Sequence, residues 1–213
     1  MHRLRLKFSR GEQLKYLSHL DLMRLWERAL RRAGLPAAYS EGFSPHPKIS
    51  LASPLALGVI SRAELMDVFL NRAVSPGLFM KKLVPQLPEG IEILEVVPEN
   101  VQSPSLQSRL RKVEYLVELE TDKNAEQITT EMKSLLAKNN FPWHHSRDTG
   151  ERFYDLRPLI EDLWLIEIKE TLCRIGMLLR CDASGTGRPE QVARALNFTQ
   201  PPTCIERTKL IFA

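Results

Sequence analysis

The sequence predicts an α+β protein built as two tandem ferredoxin-like units of order β-α-β-β-α-β, the second with an extra hairpin. Two observations carry this expectation. Segments with apolar residues at every second position alternate with segments of helical spacing, and a similar order returns after a polar stretch at residues 99–109. The length of 213 residues also suits two domains of about 100 residues each. A hydrophobic fraction of 43% with 26% charged residues is that of a globular chain with a real core. The expected boundaries are 1–98 for a basic N-terminal unit and 110–213 for a C-terminal unit, with 99–109 as a linker.

Residues 3–8 alternate basic and apolar side chains, placing Leu4, Leu6 and Phe8 on one face of a half-buried strand. After a turn at Gly11, Ser18 is positioned to cap a helix, and Asp21 completes a capping-box variant of shorter reach than Glu. The helix runs to about Ala33 and stops at Gly34, with Pro36 beyond. Its Leu22, Met23, Trp26, Ala29, Leu30 and Ala33 face a core, while Arg24, Arg28, Arg31 and Arg32 share the opposite arc. Extended segments follow at 37–39 and 48–51, around the loop 40–47, and 63–70 forms a third strand. Ser75-Pro76 opens a short helix to about Val84, with Pro at the first helical position, and 91–97 closes the unit as a strand.

In the second unit, 113–119 alternate as a strand and 125–138 are helical. Residues 141–146, 152–156, 164–169 and 174–180 are strands, one hairpin more than the first unit needs. Arg188-Pro189 leads into a helix through Leu196, and 205–212 form the last strand.

Composition narrows the function classes. No apolar run approaches the roughly 18 residues of a membrane span, and the start Met1-His2-Arg3-Leu4-Arg5-Leu6-Lys7 is not a secretory signal. Cys173, Cys181 and Cys204 are odd in number and match no metal or disulfide spacing, so they read as reduced residues of a cytoplasmic protein. Without a Cys-x-x-Cys, this polypeptide is not expected to hold an iron–sulfur cluster or structural zinc of its own. Charge is unevenly spread. Through residue 48 ten Lys and Arg face four acids, an excess of +6 against a whole-chain value of +4. Such one-sidedness points to an anionic partner, nucleic acid first, with a solvated face as the plain alternative.

The ordered segments Tyr16-Leu17-Ser18-His19-Leu20-Asp21, Arg28-Ala29-Leu30-Arg31-Arg32-Ala33, Tyr39-Ser40-Glu41-Gly42-Phe43-Ser44-Pro45-His46-Pro47 and Pro54-Leu55-Ala56-Leu57-Gly58 carry a resemblance. With Tyr154-Asp155-Leu156-Arg157-Pro158 and Gly187-Arg188-Pro189-Glu190, they resemble the radical SAM-linked protein family, the DUF2344 domain. The likeness runs over essentially the whole chain. It marks Ser18, His19, Asp21, Gly42, Pro47, Asp155, Arg157 and Pro158 as family-motif residues. Members of that family stand beside, or fused to, a radical SAM protein. The resemblance therefore implies a radical SAM partner holding the iron–sulfur cluster and S-adenosylmethionine, and no cofactor in this chain.

Candidate contacts for nucleic acid or partner are Arg24, Arg28, Arg31, Arg32, Phe43, His46 and Lys48. Guanidinium groups pair bidentately with phosphate oxygens, although Glu27, one turn before Arg31, is placed to draw off part of that charge. The loop is stiffened by Pro45 and Pro47 and offers Phe43 and His46; Phe43 suits either base stacking or a place in the core. His19 and His46 are candidate acid–base groups, and the layout of His19 before an arginine-rich helix resembles CRISPR-type repeat-RNA endonucleases. His144 and His145, adjacent on a strand, point to opposite faces and cannot easily share a metal. Asp155 and Arg157 are spaced for an ion pair on one strand face, and Ser184-Gly185-Thr186-Gly187 reads as a turn.

The leading expectation is an RNA-associated accessory protein that recognises substrate for, or docks onto, a radical SAM enzyme. A metal-independent ribonuclease or RNA-modifying enzyme using His19 or His46, and a protein-only scaffold, are the alternatives.

Overall fold

Alternation in the first strand decides how the first unit is built. The computed structural model describes residues 1–147 and 150–213, with 145–147 by their backbone alone. The chain is α+β and divides into Met1–Leu110 and Arg111–Ala213.

The first unit runs β1 His2–Arg10, α1 His19–Arg32, β2 Ile49–Leu51, β3 Ile60–Leu70, α2 Pro76–Leu83 and β4 Ile91–Glu99. Its strands lie in the order β4-β1-β3-β2 with antiparallel neighbours. The extended segment expected at 37–39 makes only isolated bridges, Ala37 to Leu70 and Tyr39 to Pro47. Leu4, Leu6 and Phe8 face inward with Met66, Val68 and Leu70 of β3, and α1 covers them with Leu22, Trp26, Ala29 and Leu30. Phe8 meets Trp26 edge-on, with ring centres 4.9 Å apart. Fully burying one such side chain stabilises the fold by roughly 1.5–3 kcal/mol.

The same period places Arg10 on the inner face, 1% exposed. Its guanidinium donates to the carbonyls of Leu14 (2.9 Å), Lys15 (3.0 Å) and Leu17 (2.8 Å), shaping the loop that enters α1. On the outer face, Arg3 and Arg5 both bind Asp67 of β3, Arg5 through Nε at 2.9 Å.

Residues 99–109 do not form a free linker. Arg3 also donates to the Ser103 carbonyl (2.7 Å), and α3 Leu106–Arg109 packs its buried Leu106 onto the first unit. Gln107 Nε2 bonds Ser50 Oγ at 2.8 Å and the Leu51 carbonyl. The serines that make this stretch look like a linker are turn and cap residues: Ser105 Oγ accepts from the Ser108 amide.

The second unit holds β5 Leu110–Glu120, α4 Ala125–Ala137, β6 Pro142–Arg147, β7 Gly150–Asp155, β8 Ile160–Lys169, β9 Leu172–Asp182, β10 Gly185–Thr186, α5 Pro189–Ala195 and β11 Cys204–Phe212. Strand β9 pairs antiparallel with β5 on one side and with β8 on the other, and β11 lies beside β5. The extra hairpin is β6–β7, a separate two-stranded sheet. A complete capping box of Asn124 and Gln127, both bonds 2.9 Å, starts α4. Trp164 lies across from Gly176 in the β8–β9 register, and a methyl group there would overlap the indole. Among the described residues, no helix is long and apolar enough to cross a membrane.

Candidate nucleic-acid interface

The start of α1 is held by Ser18, whose Oγ accepts from the Asp21 amide at 3.1 Å. The expected reciprocal bond does not form: Asp21 Oδ2 instead takes the Ser18 hydroxyl at 2.7 Å. The aspartate is one methylene too short to reach the cap backbone. That hydroxyl, followed by Arg24, holds the Asp21 carboxyl below its ordinary range. His19 is the first residue of α1 and exposed, and among the described residues no hydrogen bond orients its ring.

At about 100° per residue, Arg24, Arg28 and Arg31 project within ~60° of one another, away from the buried face. All four arginines of the arc are exposed, but they are not equivalent. Arg24 Nη1 lies 3.2 Å from Asp21 Oδ1. Arg32 is drawn aside, donating to Gln86 Oε1 at 3.2 Å and to the Gln86 carbonyl at 2.6 Å. Among the described residues, no hydrogen bond or ion pair holds the side chain of Arg28 or Arg31. These two are the guanidinium groups open to an incoming anion.

The pair expected between Glu27 and Arg31 is replaced by a contact with the loop: Glu27 Oε1 stands 3.5 Å from His46 Nδ1. The loop itself is closed at its base. The Ser40 amide donates to the His46 carbonyl (2.8 Å), the His46 amide to Ser40 Oγ (3.1 Å), and the Lys48 amide to the Ala38 carbonyl (2.7 Å). Gly42 holds φ +122, a conformation that a side chain would strain. Pro47 is buried and Lys48 half-buried. Phe43, at the apex, is 110% exposed, so its place is outside the core.

The N-terminal charge excess is smaller at the surface than along the chain. Asp67 and Glu99 bind Arg3 and Arg5, Glu12 binds Lys15 at 2.7 Å, and Arg10 is buried. Asp67 and Glu99 lie beyond residue 48, where a count confined to the first 48 residues does not meet them. The period-two pattern of β1, carried two residues past Phe8, is the signal that would have found Arg10.

In the second unit, Asp155 and Arg157 do not pair with each other. Asp155 Oδ1 accepts from the amides of Phe141 (2.7 Å) and Arg157 (3.0 Å). The Arg157 side chain donates to the carbonyls of Leu136 (2.8 Å) and Ile160 (2.5 Å), the first at the end of α4. Pro158 sits in the first turn of a short 3-10 helix, and Leu156 is fully buried. Their geometry is that of a clamp joining hairpin, helix end and β8. In the Ser184–Gly187 segment, only the start is the expected turn: Asp182 Oδ1 takes the Ser184 amide (2.8 Å) and hydroxyl, and Gly185–Thr186 then pair back on β9 as β10. The side chain of His145 lies outside the described residues, and His144 rests on Glu151 (3.4 Å).

A protein-family model described as an uncharacterized protein conserved in bacteria (DUF2344) matches residues 3–189. No curated protein matches the chain. Among solved structures, it is similar to a chain of a Cbf5–Nop10–Gar1 complex, with a TM-score of 0.56 and 10% identity over 97% of this chain and 48% of that one. It is also similar to a chain of the archaeal box H/ACA sRNP Nop10–Cbf5 complex, with a TM-score of 0.51 and 10% identity over 96% and 46%. At this identity the likeness is one of fold. The chain spans about half the length of the solved chains it matches.

Proposed function

The chain belongs to the DUF2344 family of bacterial proteins, and we propose that it is an RNA-associated substrate-recognition or docking subunit of a cytoplasmic radical SAM enzyme, without cofactor chemistry of its own. One observation carries the RNA reading. A fully exposed Phe43 stands on a Pro-stiffened loop whose His46 lies against Glu27 of the helix that presents Arg28 and Arg31. Guanidinium groups suit phosphates and a free ring suits a base, the combination used for single-stranded nucleic acid. A loop already closed by its own hydrogen bonds loses little freedom on binding. The solved chains of similar fold belong to complexes that include an H/ACA sRNP, which is in keeping with an RNA partner. The radical SAM half rests on the family signature. The strand orders β4-β1-β3-β2 and β11-β5-β9-β8 support reading the two units as tandem ferredoxin-like folds.

Fluorescence anisotropy with a labelled single-stranded RNA tests the RNA half. Binding should weaken with salt, and Arg28→Glu with Arg31→Glu should cost at least tenfold and flatten the log–log salt slope by about 1.4. A folded double variant that binds like the parent refutes it. The partner half is tested by recovery from native cells after nuclease treatment: a radical SAM protein should co-purify, and its absence counts against the docking role.

A further inference from the structure

We infer that the outer face of the β6–β7 hairpin is a second base-stacking platform for single-stranded RNA, an inference that rests on the RNA reading above. Cross-strand register divides the hairpin into two faces. Trp143 and Tyr154 oppose each other on the inner one, both half-buried, and the Tyr154 hydroxyl donates to Gln191 Oε1 at 2.5 Å. Packing accounts for those two rings. It does not account for the other face.

There His144 and Phe153 oppose each other and stack, with ring centres 4.5 Å apart and planes 15° from parallel. Phe153 remains 75% exposed, so much of its ring meets solvent. These residues, with Asn140, Pro142, Asp155 and parts of the neighbouring Trp143 and Tyr154, line a shallow concavity of about 580 Å³, ample for a nucleobase. Next to the hairpin, Phe141 stacks on Trp143, and Lys138 Nζ sits 4.6 Å from the centre of the Phe141 ring. Two carboxylates are near. Asp155 is occupied by two backbone amides, and Glu151 lies against His144 Nε2 at 3.4 Å, leaving the exposed Phe153 ring uncovered. An open ring in a near-parallel stack suits a further planar, uncharged occupant. An unpaired base meets that description, and a protein side chain meets it less well.

The test uses the full chain and a fluorescein-labelled 12-nucleotide oligouridylate. Phe153→Ala should weaken binding about tenfold with an unchanged salt slope, because stacking releases no counterions. Phe153→Trp should bind at least as tightly as the parent. Circular dichroism of each variant confirms that the fold is kept. Parent-like binding by Phe153→Ala, while Arg28→Glu with Arg31→Glu loses affinity, overturns this inference and leaves the RNA reading standing. An unmodified protein that binds no oligouridylate and no cellular RNA removes both. Unchanged RNA binding with loss of a co-purifying protein also overturns it, by assigning the face to protein contact.

Discussion

His46 Nδ1 stands 3.5 Å from Glu27 Oε1, which sets the 40–47 loop against the arginine-bearing helix. The carboxylate that sequence spacing offers to Arg31 is turned to the loop instead, which leaves Arg31 open.

Replacing Glu27 by Gln removes one negative charge from the flank of the arc. RNA affinity should rise about two- to fivefold at low salt, in line with the small energies of exposed charge pairs. The gain should shrink as added salt screens the surface. Anisotropy titrations at several salt concentrations check both statements.

Asp67→Ala should be among the more damaging substitutions in the first unit. Arg3 and Asp67 are both buried, and removing the carboxylate strands a buried guanidinium. The expected loss is about 3–5 kcal/mol, read from urea unfolding. Hydrogen exchange should quicken at residues 100–106, because Arg3 binds the Ser103 carbonyl from the same position.

The cap of α1 should be acid-sensitive. Ser18, then Arg24, lowers the Asp21 carboxyl, so its folded-state pKa lies below the unfolded value of about 3.9. A depressed carboxylate contributes stability above the unfolded value and loses it as pH falls through the folded one. Ser18→Ala should raise the Asp21 midpoint seen in carboxyl NMR titration. It should also cost about 1 kcal/mol through the lost cap.

Thiol chemistry should distinguish the cysteines. Burial pushes the Cys173 thiol up to about 11, and Cys181 is also buried, while Cys204 is partly exposed. At pH 8, a thiol reagent should label Cys204 first and reach Cys173 only on unfolding. Fast labelling of Cys173 in the folded protein would contradict its placement.

Much of the fold was legible because it is written locally. The alternation of β1, the spacing of α1 and the Pro and Gly punctuation around 40–47 follow from which residues share a face or tolerate a turn. The doubled strand set before α5 was legible for the same reason. The 99–109 stretch was not, because its single buried anchor, Leu106, sits among polar residues that serve as caps.

By itself the sequence determined the order of elements, the outward arc of Arg24, Arg28, Arg31 and Arg32, and the stiff loop bearing Phe43 and His46. Only tertiary structure decided which of these groups remain available. Arg3 meets Asp67 across 64 residues and Arg32 meets Gln86 across 54, while the side chains of Asp155 and Arg157, two positions apart, do not pair: the first takes backbone amides and the second backbone carbonyls. Periodicity records which side of an element a residue occupies. The partner it finds there depends on which distant segment the packed sheet and helices bring alongside, and no local spacing carries that information.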